Sequence, residues 1–194
     1  MTRFVYATAT TLDGFIADAD NSLDWLFAVE GGEESLAGMA SFIAGVGVMV
    51  EGSTTYRWVL EHEGLLAEPA RWQELYGEKP TYVFSSRSDL PIVSGADIRV
   101  VAGAASDHLP AIREAAAGKD VWLVGGGDLV GQFFEAGALD EVRVSVASVT
   151  LGSGAPLLPR RIESDTLRLT AVRQTGQFAE LRYDIRRPAS DPTP

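Results

Sequence analysis

Three consecutive glycines, Gly125-Gly126-Gly127, divide an apolar run from an amphipathic one, and this junction restricts the fold more than any other segment. The run before it is Asp120-Val121-Trp122-Leu123-Val124; the run after it is Asp128-Leu129-Val130-Gly131-Gln132-Phe133-Phe134. A buried strand thus delivers the backbone into a turn without side chains, and a helix starts at once. Glycine permits conformations and close approaches that a Cβ blocks. The first amides of a helix lack internal partners and lie at the positive end of its dipole. That combination suits an anion, most often a nucleotide phosphate. A turn that only packs tightly against other backbone has the same sequence, so the segment alone leaves both readings open.

The rest of the chain shows the same alternation and then abandons it. Phe4 to Ala9, Val46 to Val50, Pro80 to Phe84 and Ile98 to Val101 read as strands. Glu33 to Ala44, Ser53 to Leu60 and Leu109 to Ala117 read as helices, with the hydroxyls from Ser53 onward expected to cap the second. Asp18 to Trp25 reads as polar loop. From Glu141 to Val149 the apolar residues alternate with period two, and Leu167 to Arg173 and Phe178 to Arg186 follow as strands joined at Thr175-Gly176-Gln177. The fold class is therefore α/β: one mixed, mostly parallel sheet with helices on both faces and a C-terminal antiparallel hairpin. One domain over residues 1 to 187 is expected, with a disordered tail from Pro188 to Pro194.

Composition removes several function classes. The sequence has no cysteine, which excludes disulfides, thiolate metal sites and cysteine nucleophiles, and no cluster has metal-ligand spacing. A formal charge of −11, with Arg160-Arg161 and Arg186-Arg187 as the basic pairs, opposes nucleic-acid binding. No apolar run reaches the roughly 18 residues of a membrane span, and Met1-Thr2-Arg3 leads straight into a strand without a signal pattern. A cytoplasmic protein acting on a small molecule is expected.

Ligands of open α/β sheets collect beyond the carboxyl ends of the parallel strands. Here those ends carry Ala7 to Gly14, Gly52 to Thr55, Ser85 to Arg87 and Gly125 to Asp128. Ser85, Ser86 and Arg87 offer hydroxyls and a guanidinium fork suited to a phosphate monoester. Together these ends fit an elongated, phosphate-bearing cofactor. The Rossmann fingerprint does not fit, because Gly125-x-Gly127-x-x-x-Gly131 comes late and has the wrong spacing, and no Gly-Lys-Ser/Thr phosphate loop is present.

Taken in order, the same segments resemble the reductase domain of riboflavin biosynthesis, which has the dihydrofolate reductase fold. Ala9 to Ala17 resembles its SLDGxIA opening, Met49 to Tyr56 its MGRKTY element, and Thr81 to Arg87 its strand ending in serines. Leu123 to Gly127 resembles its GG turn, and Leu151 to Leu157 its GxGxPL loop. The resemblance runs over about residues 4 to 186. It implies a sheet of about eight strands and an NADPH site, with NADH the lesser alternative. Gly52, Ser53, Thr54 and Thr55 would meet the pyrophosphate, and Ser85, Ser86 and Arg87 the adenosine ribose phosphate. Gly125, Gly126, Gly127 and Asp128 would lie beside pyrophosphate and nicotinamide, with Leu129 behind and the Ala7 backbone near the nicotinamide amide. Ser53 stands where the family has arginine, so one phosphate contact is missing.

The same resemblance implies hydride transfer to a pterin- or pyrimidine-like heterocycle or to a carbonyl, a positioning task that also needs a proton. Asp13 is the candidate for the catalytic role, as a polar anchor or proton relay, and equally reads as a turn aspartate bonded to its own backbone. Trp25 either walls the substrate cleft or packs in the core, and Arg57 either grips substrate or is a solvated helix charge. His62 and His108 read as surface residues. The proline-tryptophan pair of dihydrofolate reductases is absent from Leu23-Asp24-Trp25-Leu26. The alternative reading is a nucleotide-binding or scaffold protein that keeps the fold without turnover. A homodimer is expected from the family, with Glu141 to Val149 supplying an edge or face.

Overall fold

The computed structural model describes residues 1–30, 32–87 and 89–186; the expected tail lies outside them. The strands are Phe4–Thr11 (β1), Phe15–Ala17 (β2), Val46–Gly52 (β3), Thr81–Phe84 (β4), Ile98–Val101 (β5), Asp120–Gly125 (β6), Leu139–Ala147 (β7), Ala155–Pro156 (β8), Leu167–Thr175 (β9) and Phe178–Ile185 (β10). The helices are Asp24–Phe27 (α1), Gly32–Ala44 (α2), Ser53–His62 (α3), Ala70–Tyr76 (α4), Ala105–Ala115 (α5) and Gly127–Glu135 (α6). Eight strands form one sheet in the order β5-β4-β3-β6-β1-β7-β10-β9, and β2 pairs with β8 apart from it. Every neighbour from β5 to β7 is parallel, and β10 runs antiparallel to both β7 and β9.

Period-two alternation sends successive side chains to opposite faces. On one face Phe4, Tyr6, Val48, Val50 and Leu123 pack under α5 and α6 with Ile112, Val130 and Phe133. On the other, Val5, Met49 and Trp122 meet Met39, Phe42 and Ile43 of α2, while Val83 meets Tyr56 and Leu60 of α3 and Trp72 of α4. Burial on both faces explains why the central strands read as continuous apolar runs. Gly176, at φ 55°, turns the hairpin between β9 and β10.

Several boundaries differ from the sequence reading for local reasons. β1 runs on to Thr11 because β7 pairs with it as far as Ala147. α5 begins at Ala105, where Asp107 accepts a hydrogen bond from the Ala104 amide at 3.3 Å. α4 carries no apolar periodicity long enough to find in sequence, yet Trp72 anchors it, with 1% of its surface exposed. Trp25 falls in the one-turn α1 instead of a loop. The alternating segment from Glu141 is interior, between β1 and β10, so it supplies no edge. The open edge on that side is β9, whose residues 168–174 are all exposed.

One interior residue breaks the pattern. Glu51, at the end of β3, is fully buried, and neither carboxylate oxygen has a hydrogen-bond partner among the described residues. Burial pushes its carboxyl up to about 8 from an ordinary 4.5. Between those values the unfolded chain has released the proton and the fold retains it, so stability falls as pH rises from 4.5 to about 8 and levels off above. Thermal denaturation across that window should show this decline. Glu51→Met should flatten it and gain on the order of 4 kcal/mol at its upper end; a wild-type curve that rises with pH there would contradict the assignment.

Candidate active site

The parallel strands bring their carboxyl ends to one rim of the sheet. The β1–β6 ladder stops at Tyr6–Leu123, whereas β1 continues beside β7 to Thr11, so the sheet parts between β1 and β6 above that level. Ala7 is the first β1 residue beyond the ladder, and its carbonyl accepts the Trp122 indole N–H at 2.9 Å. One lone pair of the carbonyl expected near the nicotinamide is thus already engaged.

β3 and β6 each run into a helix without a linker. Gly52 ends β3 and is the N-cap of α3; Gly126 follows β6 and is the N-cap of α6. The two starts adjoin: a Cβ on Gly52 would lie 3.9 Å from the Gly125 oxygen and the Gly126 nitrogen, and one on Gly125 would lie 3.6 Å from Thr55 Oγ1. The peptide between Gly125 and Gly126 is cis.

The helix starts on this rim differ in their charge environment. Asp107 occupies that of α5. Asp128 brings a carboxylate to α6, where it pairs with Arg160 at 3.0 Å and accepts from Gln132 at 3.3 Å. α3 has neither an acid in its first turn nor a side-chain cap. The capping role expected of the hydroxyls is corrected here. Strand passes directly into helix, the cap falls on Gly52, and Ser53, Thr54 and Thr55 lie inside the first turn. α3 therefore offers the least opposed positive end.

The three glycines serve different ends. A Cβ on Gly126 would meet nothing within 4 Å, which leaves its backbone open to a ligand. A Cβ on Gly127 would collide with the carbonyl oxygens of Pro156 and Leu157, so Gly127 is required by packing. Leu129 is buried behind the turn. Gly131 is covered by the Arg160 side chain, 2.7 Å from a built Cβ, as that arginine reaches across α6 to Glu135 at 2.6 Å.

Loop 151–157 is tied to the β1–β2 turn as well. Asp13 accepts from the amides of Gly152 at 2.7 Å and Leu151 at 3.0 Å, and from Thr11 Oγ1 at 2.6 Å. The Thr11 hydroxyl and these amides hold its carboxyl below the usual carboxylate range. Asp13 is thus an ionised clamp between segments far apart in sequence. Its bonds reach beyond its own turn as well as within it. Leu157 N–H donates to Gly14 O at 2.9 Å and Tyr6 O–H to Leu157 O at 3.0 Å, completing the junction.

The remaining candidates are dispersed. Ser85 accepts from the Arg87 amide at 2.9 Å, and the exposed Arg87 guanidinium has no ion pair among the described residues. Ser86 is exposed beside them. Trp25 packs with Ala147 and Phe178 beneath α1, a core position, and its indole N–H has no partner among the described residues. Arg57 is exposed on α3. Sequence reading missed a stack of rings, Phe27 and His62 exposed and Trp58 half-buried: Phe27 lies 4.9 Å from His62 and 6.2 Å from Trp58, with all planes within 15°. The i, i+4 spacing of Trp58 and His62 was visible, but the partner on α1 was not. His108 holds the Ala102 carbonyl at 2.8 Å.

Comparison with known proteins gives this rim its context. The family model described as the RibD C-terminal domain matches residues 3–179. The chain belongs to the RibD C-terminal domain family. The uncharacterized protein YwjB of Bacillus subtilis is 31% identical over 191 residues, covering 93% of this chain and 97% of YwjB. Acinetobacter baumannii RibD superposes with a TM-score of 0.66 at 16% identity, over 96% of this chain and 59% of that one. Enterococcus faecalis dihydrofolate reductase, complexed with NADP(H) and RAB-propyl, gives 0.60 at 12% identity, over 95% and 97% of the two chains. At such identities the solved structures establish the fold, a dihydrofolate reductase-like α/β architecture. Among the described residues no group of three or more acidic or histidine side chains is placed to hold a metal, and no helix is long and apolar enough to cross a membrane.

Gly126 and Gly127 differ in a way that substitution can read. Gly127→Ala should lose about 3 kcal/mol or more, because backbone must move to admit the methyl. Gly126→Ala should leave the melting temperature nearly unchanged. Equal losses at both positions would remove the distinction between an open turn and a packed one.

Proposed function

We propose that this rim binds a reduced nicotinamide dinucleotide, NADPH in preference to NADH, and that the protein is a reductase acting on a small heterocyclic or carbonyl compound. The observation that carries this reading is the meeting of two helix starts at Gly52 and Gly125-Gly126, both capped by glycine and one of them without an acid in its first turn. The unoccupied first-turn amides and hydroxyls of Ser53, Thr54 and Thr55 suit a pyrophosphate, and the open Gly126 backbone admits its close approach. Ser85, Ser86 and Arg87 follow the adjacent strand, where a ribose phosphate would find hydroxyls and an unpaired guanidinium. The nicotinamide ring would lie where β1 parts from β6 above Ala7, bordered by the α6 amides from Gly127 and Asp128. When bound, the dinucleotide supplies the hydride; the protein's part is to hold donor and acceptor together and exclude water.

A second reading, nucleotide binding without turnover, is favoured by two features. The rim carboxylate Asp13 is committed to the 151–152 loop and ionised, and Ser53 replaces a basic residue. NADPH should raise the melting temperature more than NADH. Arg87→Ala should weaken NADPH by about tenfold while changing NADH little, as expected for one charge-assisted contact. Oxidation of NADPH with a pterin, pyrimidine or carbonyl acceptor would decide for the reductase. Binding without oxidation across such a panel would decide for the second reading, and no binding of either nucleotide would overturn both.

A pairing of two copies also fits the open β9 edge, where Leu169 and Val172 are 50% and 64% exposed. Sedimentation should show a dimer that Val172→Lys dissociates; a monomer at all concentrations would exclude it.

A further inference from the structure

Among the described residues the buried polar atoms without a partner belong to Trp25, Glu51, Trp72 and Thr175, and Glu51 alone of these is ionisable. Its location bears on the rim. It immediately precedes Gly52, the N-cap of α3, and stands opposite Gly125 on β6 and Val83 on β4. Its side chain shares the face of Met49 and Val83, the face covered by α3 and α4. The carboxyl group is therefore behind the paired helix starts, sealed from solvent, and takes no part in lining them.

We infer that Glu51 makes anion binding at the rim depend on its own protonation: neutral, it leaves the α3 amides unopposed, and ionised, it sets a buried negative charge behind them. This rests on the dinucleotide reading above and adds to it a residue that would not touch the ligand. The physical basis is that charges separated by protein interior are weakly screened, unlike the surface acids of this chain. Thermodynamic reciprocity then requires that a bound anion favour the proton on Glu51.

The groups around Glu51 leave this response to it. Tyr56 of α3 donates to Pro91 O at 2.8 Å and burial pushes its hydroxyl up to about 12. Burial likewise drives Tyr76 of α4 upward, and Trp72 of α4 does not titrate. Glu63, after α3, pairs with Arg71 at 2.7 Å. Lys79, after α4, donates to Tyr76 O at 2.7 Å and has Lys119 nearby. The neighbouring strands bring Val83 and Gly125, and α2 contributes Met39, Phe42 and Ile43 to this face. With its carboxyl raised to about 8 by burial, Glu51 changes charge in mildly alkaline solution.

The test uses NADH, which lacks the titrating 2′-phosphate, with calorimetric Kd measured from about neutral pH to about one unit above 8. For the wild type, Kd should rise by about tenfold over that range, while Glu51→Gln, a permanent neutral mimic, should stay flat. Subtracting the two profiles removes every contribution common to the two proteins and the ligand. Should Glu51→Gln fail to fold, Glu51→Met serves in its place. Independently, infrared difference spectra of the wild type should show a protonated-carboxyl band lost at alkaline pH, with NADH shifting that loss to higher pH. Parallel pH profiles for wild type and variant, or a band that NADH does not move, overturn this inference alone. No NADH or NADPH binding at any pH overturns the dinucleotide reading and this inference with it.

Discussion

The adjacency of β3 and β6 is the constraint on which the rest of the molecule depends. Each strand ends in glycine, β3 passing directly into α3 and β6 reaching α6 through the single cap residue Gly126, so the two helix starts are forced together wherever the strands pair. A longer connection on either side would let the chain cap its own helix and would separate the ends. Removing the linker leaves backbone donors without partners at one place on the rim. Most of the other features near the rim can be understood as support for that junction. The 151–157 segment presses against Gly127, Asp13 fastens the same segment by its amides, and Tyr6 reaches it from the core.

Charge is distributed around the junction unequally. Of the helices that follow β3, β5 and β6, α5 and α6 receive a carboxylate, and Arg160 balances the one on α6. The third receives none at its surface, but Glu51 lies buried just behind it. Leaving a carboxyl without partners in the interior is unfavourable in either protonation state, though far less so when neutral. An apolar residue would pack there more stably. Retaining the acid at this position, and nowhere else in the described interior without partners, is what connects the strand core to the chemistry of the rim.

Much of this was legible in the sequence, and the misses share a cause. Apolar runs and glycine positions located every strand of the main sheet, because burial on both faces and sharp turns leave local signatures. The rim segments were found for the same reason. What local sequence could not reveal was contact between distant segments. Gly126 and Gly127 look alike until Pro156 and Leu157 are placed against one of them. Asp13 in an Asp-Gly turn looks self-contained until the Leu151 and Gly152 amides are brought to it. The alternation from Glu141 signalled a half-exposed strand, whereas position in the sheet, between β1 and β10, depends on pairing order that periodicity does not encode.

The overall charge of −11 places a further condition on the proposed ligand. A dinucleotide is itself anionic, so long-range attraction cannot bring it to this surface. Beyond about 8 Å at physiological ionic strength, however, exposed charges are largely screened. Affinity must then come from groups in direct contact, and backbone amides are suited to this because they carry no titrating proton of their own and are fixed in place by the fold. Side-chain cations are scarce near the rim, with Arg160 committed to Asp128 and Glu135 and Arg87 unpaired among the described residues. A site that relies on amides more than on cations is also one that a single buried charge behind those amides can weaken, which is why the protonation of Glu51 matters more here than it would in a site lined with arginine.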